Sequence, residues 1–211
     1  MTFRAVIFDL GGVVFPSPID VFRAYEREQG LPDRFISEVV LADPEAGAWS
    51  RLERGELTVE RFVAEFEAEC EAAGARVDAG ALMAAVGQGF DARPEMLAAL
   101  RAIRVHGLKT GALTNNWVAE EPSDGGLRSL DDLFDVVVES AVEGLRKPDP
   151  RIYELACERL AVRPDESVFL DDLGANLKPA RALGMMTIKV ANPTNALAEL
   201  AAVLGIALDA A

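Results

Sequence analysis

Short apolar runs recur along this chain, and each stops at a polar or acidic residue before a helical pattern begins. Ala5-Val6-Ile7-Phe8 ends at Asp9-Leu10-Gly11-Gly12, and Val168-Phe169-Leu170 ends at Asp171-Asp172. Runs this short, apolar at every position and followed by turn residues, read as strands buried on both faces. Thr110 to Leu113, Val136-Val137-Val138 and Thr187 to Val190 also read as strands. Helical patterns with clear boundaries separate them. Pro94 fits a first helical position and Gly107 an end, with Met96, Leu100 and Ile103 on one face. Asp149 caps a helix that begins at Pro150 and carries Ile152, Tyr153, Ala156 and Leu160 on its apolar side. The helix after Asp172 closes at Gly184, and Pro179 is tolerated there if the helix starts near Asn176, with the proline in its first turn. Asn195 to Leu204 reads as the last helix. Buried strands alternating with helices predict an α/β fold: a Rossmann-like three-layer core around a parallel sheet.

One stretch breaks the alternation. From about Pro18 to Gly89, acidic and arginine-rich segments carry Val, Phe, Leu and Ala at helical spacing, as in Asp20 to Gln29 and Val59 to Ala73. Gly30-Leu31-Pro32 and Asp43-Pro44 punctuate it, and no strand pattern occurs. This is a helical insertion. A chain of 211 residues, half of them hydrophobic, has room for a core domain and a smaller inserted one.

The net charge of −14 disfavours nucleic-acid partners, because an acidic chain repels a phosphate backbone. No uninterrupted apolar stretch reaches the roughly 18 residues of a membrane span. The opening MTFRAVIFDL has too short an apolar run, with an acid inside it, for a signal peptide. Cys70 and Cys157 lie far apart in helical patterns and read as small buried hydrophobes. Without a cysteine framework, a cytoplasmic location is expected.

Parallel sheets bind ligands at the C-terminal ends of their strands. That rule selects Asp9, Thr114-Asn115-Asn116, Glu139-Ser140 and Asp171-Asp172. Asp9, Asp171 and Asp172 would repel one another unless a cation sits between them, and an all-oxygen site of this kind suits Mg2+. A carboxylate beside such a metal can act as a nucleophile toward phosphorus. Asp9 and Asp172 could instead be helix caps in turns. Lys147 precedes Pro148-Asp149-Pro150 on a loop stiffened by two prolines, where it could neutralise Asp9 and a phosphoryl group, or remain a solvated lysine. Arg146 reads as a surface or flap charge. Thr114, Asn115 and Asn116 could hold phosphate oxygens or form a plain polar turn. Trp117 is either a core aromatic or a pocket wall. His106, the only histidine, stands before a helix-ending glycine and reads as a helix-terminal charge. Arg51 and Arg54 could meet an anionic substrate or lie on a solvated helix face.

Across essentially its whole length the chain resembles the haloacid dehalogenase superfamily. The resemblance rests on four motifs in order: Phe8-Asp9-Leu10-Gly11-Gly12-Val13, Leu113-Thr114-Asn115-Asn116, Lys147-Pro148-Asp149-Pro150 and Phe169-Leu170-Asp171-Asp172. The stretch from Val168 to Arg181, and Thr114-Asn115-Asn116-Trp117, are most similar to the N-terminal phosphatase domain of soluble epoxide hydrolases and its bacterial stand-alone relatives. The resemblance implies a core of residues 1–15 and 88–211 and a helical cap of residues 16–87 that closes over substrate. It implies a Mg2+-dependent phosphatase acting on a small phosphorylated metabolite, with Asp9 attacking phosphorus and Lys147 steadying the charge. Thr114 and Asn115 would bind the phosphoryl group. Asp9, the carbonyl of Gly11 and Asp172 would hold the metal, with Asp171 in support.

The chain departs from that pattern at Gly11, where such phosphatases usually carry a second aspartate that protonates the leaving oxygen. General acid catalysis is typically worth about 10² to 10⁴ in rate. Esters with good leaving groups are therefore expected to be the better substrates. Two alternatives follow from the same departure: a metal-independent 2-haloacid dehalogenase, which needs no such proton, and a catalytically weak phosphate-binding or scaffold protein.

Overall fold

The computed structural model of the chain describes residues 2–87, 91–118, 130 and 132–208. Its sheet contains β1 (Ala5–Phe8), β2 (Lys109–Thr114), β3 (Val136–Glu139), β4 (Ser167–Asp171) and β5 (Met186–Lys189), in the order β3-β2-β1-β4-β5, every pair parallel. Side chains alternate across a strand, so β1 serves two cores at once. Val6 and Phe8 join Met96, Leu100 and Ile103 of α6 (Pro94–Val105) and Leu200 of α10 (Pro193–Leu204) on one face. Ala5 and Ile7 meet Ile152, Tyr153, Ala156 and Leu160 of α8 (Pro150–Leu160), and Leu177 and Ala180 of α9 (Gly174–Ala182), on the other. This is the three-layer α/β architecture expected from the alternating runs. A short α7 (Ser140–Glu143) follows β3.

Between β1 and α6 the chain forms α1 (Pro18–Gln29), α2 (Phe35–Ala42), α3 (Ala48–Glu53), α4 (Val59–Ala72) and α5 (Ala79–Gly87). These helices have a separate core. Trp49 is its hub, packing edge-on to Phe22, Phe62 and Phe66 at centroid distances of 5.2, 5.4 and 5.8 Å. The buried Glu26 has a structural reason: its carboxylate accepts from Arg34 N at 3.0 Å and Ile36 N at 2.8 Å, capping α2 from a neighbouring helix. The insertion leaves and rejoins the core at adjacent points. Arg93, at the N-terminus of α6, donates from Nη1 to the carbonyls of Gly12 (2.8 Å) and Val13 (2.9 Å), and from its backbone to Val14 O (2.8 Å). The second expected boundary, between residues 87 and 88, borders positions 88–90, which lie outside the described residues.

Three sequence expectations shift. Helix α9 starts at Gly174, so Pro179 sits inside it rather than in its first turn. The proline removes only the bond to the carbonyl of Ala175, which lies on the exposed side of the helix. β5 is displaced by one residue from the expected Thr187 to Val190, and α10 begins two residues earlier than expected because Asn192 caps it and Pro193 takes its first position. Both cysteines are buried free thiols, as expected.

Candidate active site

Register brings the first two acids together. β1 and β4 are neighbours with Phe8 opposite Leu170, so the residues that follow, Asp9 and Asp171, emerge side by side. Asp9 N extends the ladder by one bond, to Leu170 O at 2.8 Å. Asp172 follows directly, and one carboxylate oxygen from each of Asp9, Asp171 and Asp172 lies within 4.8 Å of the others. Gly12 makes that approach possible: it has φ +81°, and a Cβ there would stand 2.2 Å from Asp172 Oδ2.

Lys147, on the loop before α8, is 1 % exposed. Its ammonium lies 2.7 Å from Asp9 Oδ1 and 2.9 Å from Asp171 Oδ2. A lysine has three donors, so one remains for a ligand oxygen. The solvated-lysine alternative is thereby set aside. Burial disfavours the ammonium, but Asp171 and Asp9 outweigh it and raise the Lys147 pKa.

The acids are not equivalent. Asp171 is saturated: Oδ1 accepts from Leu173 N (2.8 Å) and Asn176 Nδ2 (3.1 Å), and Oδ2 from Lys147 and Asn176 Nδ2 (3.1 Å). Asp172 has only the Ser17 hydroxyl, at 3.3 Å, as a side-chain donor among the described residues. Burial raises the Asp172 carboxyl first, and Asp171 adds to it. Burial likewise pushes Asp9 well above the usual carboxylate range, against Lys147 and together with Asp171 and Asp172. The Gly11 carbonyl accepts no hydrogen bond among the described residues. Three carboxylates gathered around one lysine form a donor set that could hold a hard divalent cation. The capping alternative accounts for neither Asp9, whose Oδ1 is held by Leu10 N at 2.7 Å, nor Asp172.

Thr114 closes β2 and is buried; among the described residues its hydroxyl makes one long bond, 3.4 Å to Asn115 O. The side-chain amides of the two asparagines are committed to neighbouring loops, while no bond from the Asn115 backbone N–H occurs among the described residues. Asn115 Oδ1 accepts from Lys147 N (2.8 Å) and its Nδ2 donates to Lys147 O (3.1 Å). Asn116 Nδ2 donates to Glu139 and its backbone N to Ser140 Oγ (2.9 Å), tying β2 to the end of β3. Trp117 is both things the sequence left open. It packs on the insertion core, 6.3 Å from Trp49, and walls a pocket of about 590 Å³ with Val59, Val63, Met83 and Ala84.

Of the two readings of Arg146, a surface or a flap charge, the solvated surface one does not hold: Nε and Nη2 contact Glu53 Oε2 at 2.7 and 2.6 Å, from a largely buried position. Arg51 pairs with Glu65 and Arg54 with Glu56, within the insertion. His106 contacts Ala102 O through Nδ1 at 2.9 Å and ends its helix as expected. Sequence reasoning missed Asn176, Ser17 and Glu53. Asn176 had a signal in its position one turn after Asp171; Glu53 had none.

The family model of the haloacid dehalogenase-like hydrolases matches residues 3–184. The chain belongs to this family. Within it, the chain is 43% identical over 211 residues to mouse "Acyl-CoA dehydrogenase family member 10", covering 98% of this chain and 20% of that protein. It is 36% identical over 224 residues to pig "Bifunctional epoxide hydrolase 2", covering 99% of this chain and 40% of that one. The chain therefore spans well under half the length of these relatives. "Sesquiterpene phosphatase astK" of Aspergillus oryzae is 28% identical over 208 residues, with 97% and 98% covered. Among solved haloacid dehalogenase-like folds, an enzyme of Bacteroides thetaiotaomicron in complex with magnesium and inorganic phosphate superposes with a TM-score of 0.61 at 22% identity, over 89% of this chain and 93% of that one.

Proposed function

We propose that the protein is a Mg2+-dependent phosphatase that hydrolyses a small phosphorylated metabolite through an aspartyl-phosphate on Asp9. One observation carries the reading. Asp172 is a half-buried carboxylate with no cationic partner among the described residues, beside a nucleophile already paired with lysine. A dehalogenase without metal has no use for that third acid, which would be a costly charge. The phosphatase relative of similar length and the neighbour that binds magnesium and phosphate support the same reading.

Asp9, Asp172 and the Gly11 carbonyl would hold the metal, and Asp171 would act in support through Lys147. When bound, the metal neutralises the acids and draws negative charge from the phosphoryl oxygens. The protein does the rest. Asp9 Oδ1 is held by Leu10 N and Lys147, which leaves Oδ2 free of donors among the described residues and able to bond to phosphorus. As that bond forms, the bond from phosphorus to the ester oxygen breaks. Lys147 and the Thr114 hydroxyl would meet the equatorial oxygens. Water then attacks phosphorus, releasing inorganic phosphate and restoring the Asp9 carboxylate.

The departing oxygen finds no carboxyl at Gly11, so it leaves as a stable anion or takes its proton from water or from the substrate. The helical insertion is read as the cap that closes over the site and selects the substrate. The test is release of para-nitrophenol from its phosphate ester. Wild type with Mg2+ should be active, and chelator or Asp9→Asn should abolish turnover. Chelator-insensitive release of chloride from 2-haloacids, without phosphatase activity, would overturn the reading.

A further inference from the structure

A continuous line of buried and partly buried polar contacts runs from the aromatic core of the insertion to the nucleophile. Trp49 Nε1 donates to Glu53 Oε1 at 3.0 Å. Glu53, the last residue of α3, is 9 % exposed, and its Oε2 accepts from Arg146 (2.6 and 2.7 Å) and from Asn115 Nδ2 (3.3 Å). Asn115 grips the Lys147 backbone at both N–H and carbonyl, and Lys147 spans Asp9 and Asp171. Two residues past Glu53, Gly55 seats this end of the insertion on the core. With φ +69°, its position would put a Cβ 2.3 Å from the Ala141 carbonyl oxygen.

The arrangement does more than tether two parts. A primary amide has two N–H donors and one acceptor oxygen. Asn115 uses its oxygen and one N–H on Lys147, so the remaining N–H decides whether the amide holds a single orientation. Glu53 takes that N–H. Both Glu53 oxygens face donors, from three separate segments of chain, and loss of the carboxylate would leave one Asn115 N–H without its acceptor and the Arg146 guanidinium with only the Pro44 carbonyl, at 3.3 Å.

We propose that Glu53 is a positioning residue for the reaction. Supplied by the insertion, it fixes the Asn115 amide and the Lys147 backbone, so that the ammonium is aligned with Asp9 only when the insertion is docked on the core. The kinetic part of this inference rests on the phosphatase reading; the structural part does not.

The test compares wild type, Glu53→Gln, Arg146→Gln and the double variant, with Glu56→Gln as a control that breaks the pair to Arg54 within the insertion. Glutamine keeps the shape of Glu53 but offers one acceptor where the site presents donors to both oxygens. Glu53→Gln and Arg146→Gln should each lower kcat for para-nitrophenyl phosphate about ten- to a hundredfold, as expected when a catalytic group is displaced by a fraction of an ångström. KM should change by less than about threefold, and the double variant should be no worse than the weaker single one. Peptide-resolved amide exchange should quicken at residues 115–117 and 145–149 and not within α4, while Glu56→Gln behaves as wild type.

A kcat within about twofold of wild type in Glu53→Gln would overturn the proposal. So would exchange that rises equally through α4, which is what a residue that merely keeps the insertion folded would give. If the wild type hydrolyses no phosphate ester, the phosphatase reading fails, and the location of the exchange change still decides the role of Glu53.

Discussion

In the core, polar residues of the site hang from strand ends that backbone hydrogen bonds have already placed. Asp9 follows β1, Thr114 closes β2 and Asp171 closes β4, with register fixing their spacing. In the insertion, the contribution to the same site is Glu53, carried on a six-residue helix that is held by aromatic packing around Trp49. A sheet ladder leaves little freedom in where its ends point, whereas helices packed by side chains can shift as a body. On this account chemistry belongs to the part of the molecule that cannot move, and control of access to the part that can.

The sharpest challenge to that division is Lys147→Met. If the core is preorganised around the buried ion triad, leaving Asp9 and Asp171 unpaired should cost about 3–5 kcal/mol in urea unfolding without Mg2+, and abolish phosphatase activity. A loss under about 1 kcal/mol would mean the triad is solvated like a surface pair. Trp49→Ala should come next, destabilising by about 3 kcal/mol through the cavity left at the hub of the insertion. The loss should be confined to the insertion: labelling of Cys70, buried in the same cluster, should accelerate while labelling of Cys157, buried in the cluster on the other face of the sheet, does not. Equal acceleration of both thiols would show that the two regions open as one.

Gly11→Asp probes the stretch between β1 and the insertion. The backbone at Gly11 is not left-handed, but a Cβ would meet Pro18 Cδ at 3.2 Å, so α1 must yield slightly. Turnover of alkyl phosphates should rise about tenfold, short of the full worth of a general acid, while aryl phosphates change little. Equal wild-type rates on alkyl and aryl esters would remove the premise.

The smallest effect is expected in the unmodified protein. Burial pushes the Cys70 thiol up to about 12, with Glu69 and Glu67 adding to it, and burial raises Cys157 as well. Neither thiol is ionised in the closed state at pH 8, so labelling waits for opening, after which an ordinary thiol pKa near 8.5 applies. Cys70 should label about threefold faster than Cys157 if the insertion opens first.

The sequence makes the core legible because parallel strands buried on both faces must be apolar throughout, and the residue that ends each run is therefore conspicuous. Asp9, Thr114 and the acid pair at 171 and 172 stand out for that reason, and Lys147 because two prolines follow it closely. Glu53 is hidden for the opposite reason. In an arginine- and glutamate-rich helical stretch, a carboxylate that turns inward looks like the many that face water, and its partner Arg146 is 93 residues away. Pro179 misled because helix starts are inferred from proline, while α9 starts where Asp171 holds Leu173 N. The committed amides of Asn115 and Asn116 could not be read, since a turn asparagine can face a ligand or a neighbouring loop equally well.

The central claim is that Asp9 carries the phosphoryl group. Borohydride reduces an acyl phosphate to an alcohol, so quenching turnover with borohydride and weighing the peptide that contains residue 9 tests it directly. The account predicts homoserine at position 9 only when both Mg2+ and a phosphate ester are present. An unmodified aspartate there, in a sample shown to be turning over ester, would contradict it.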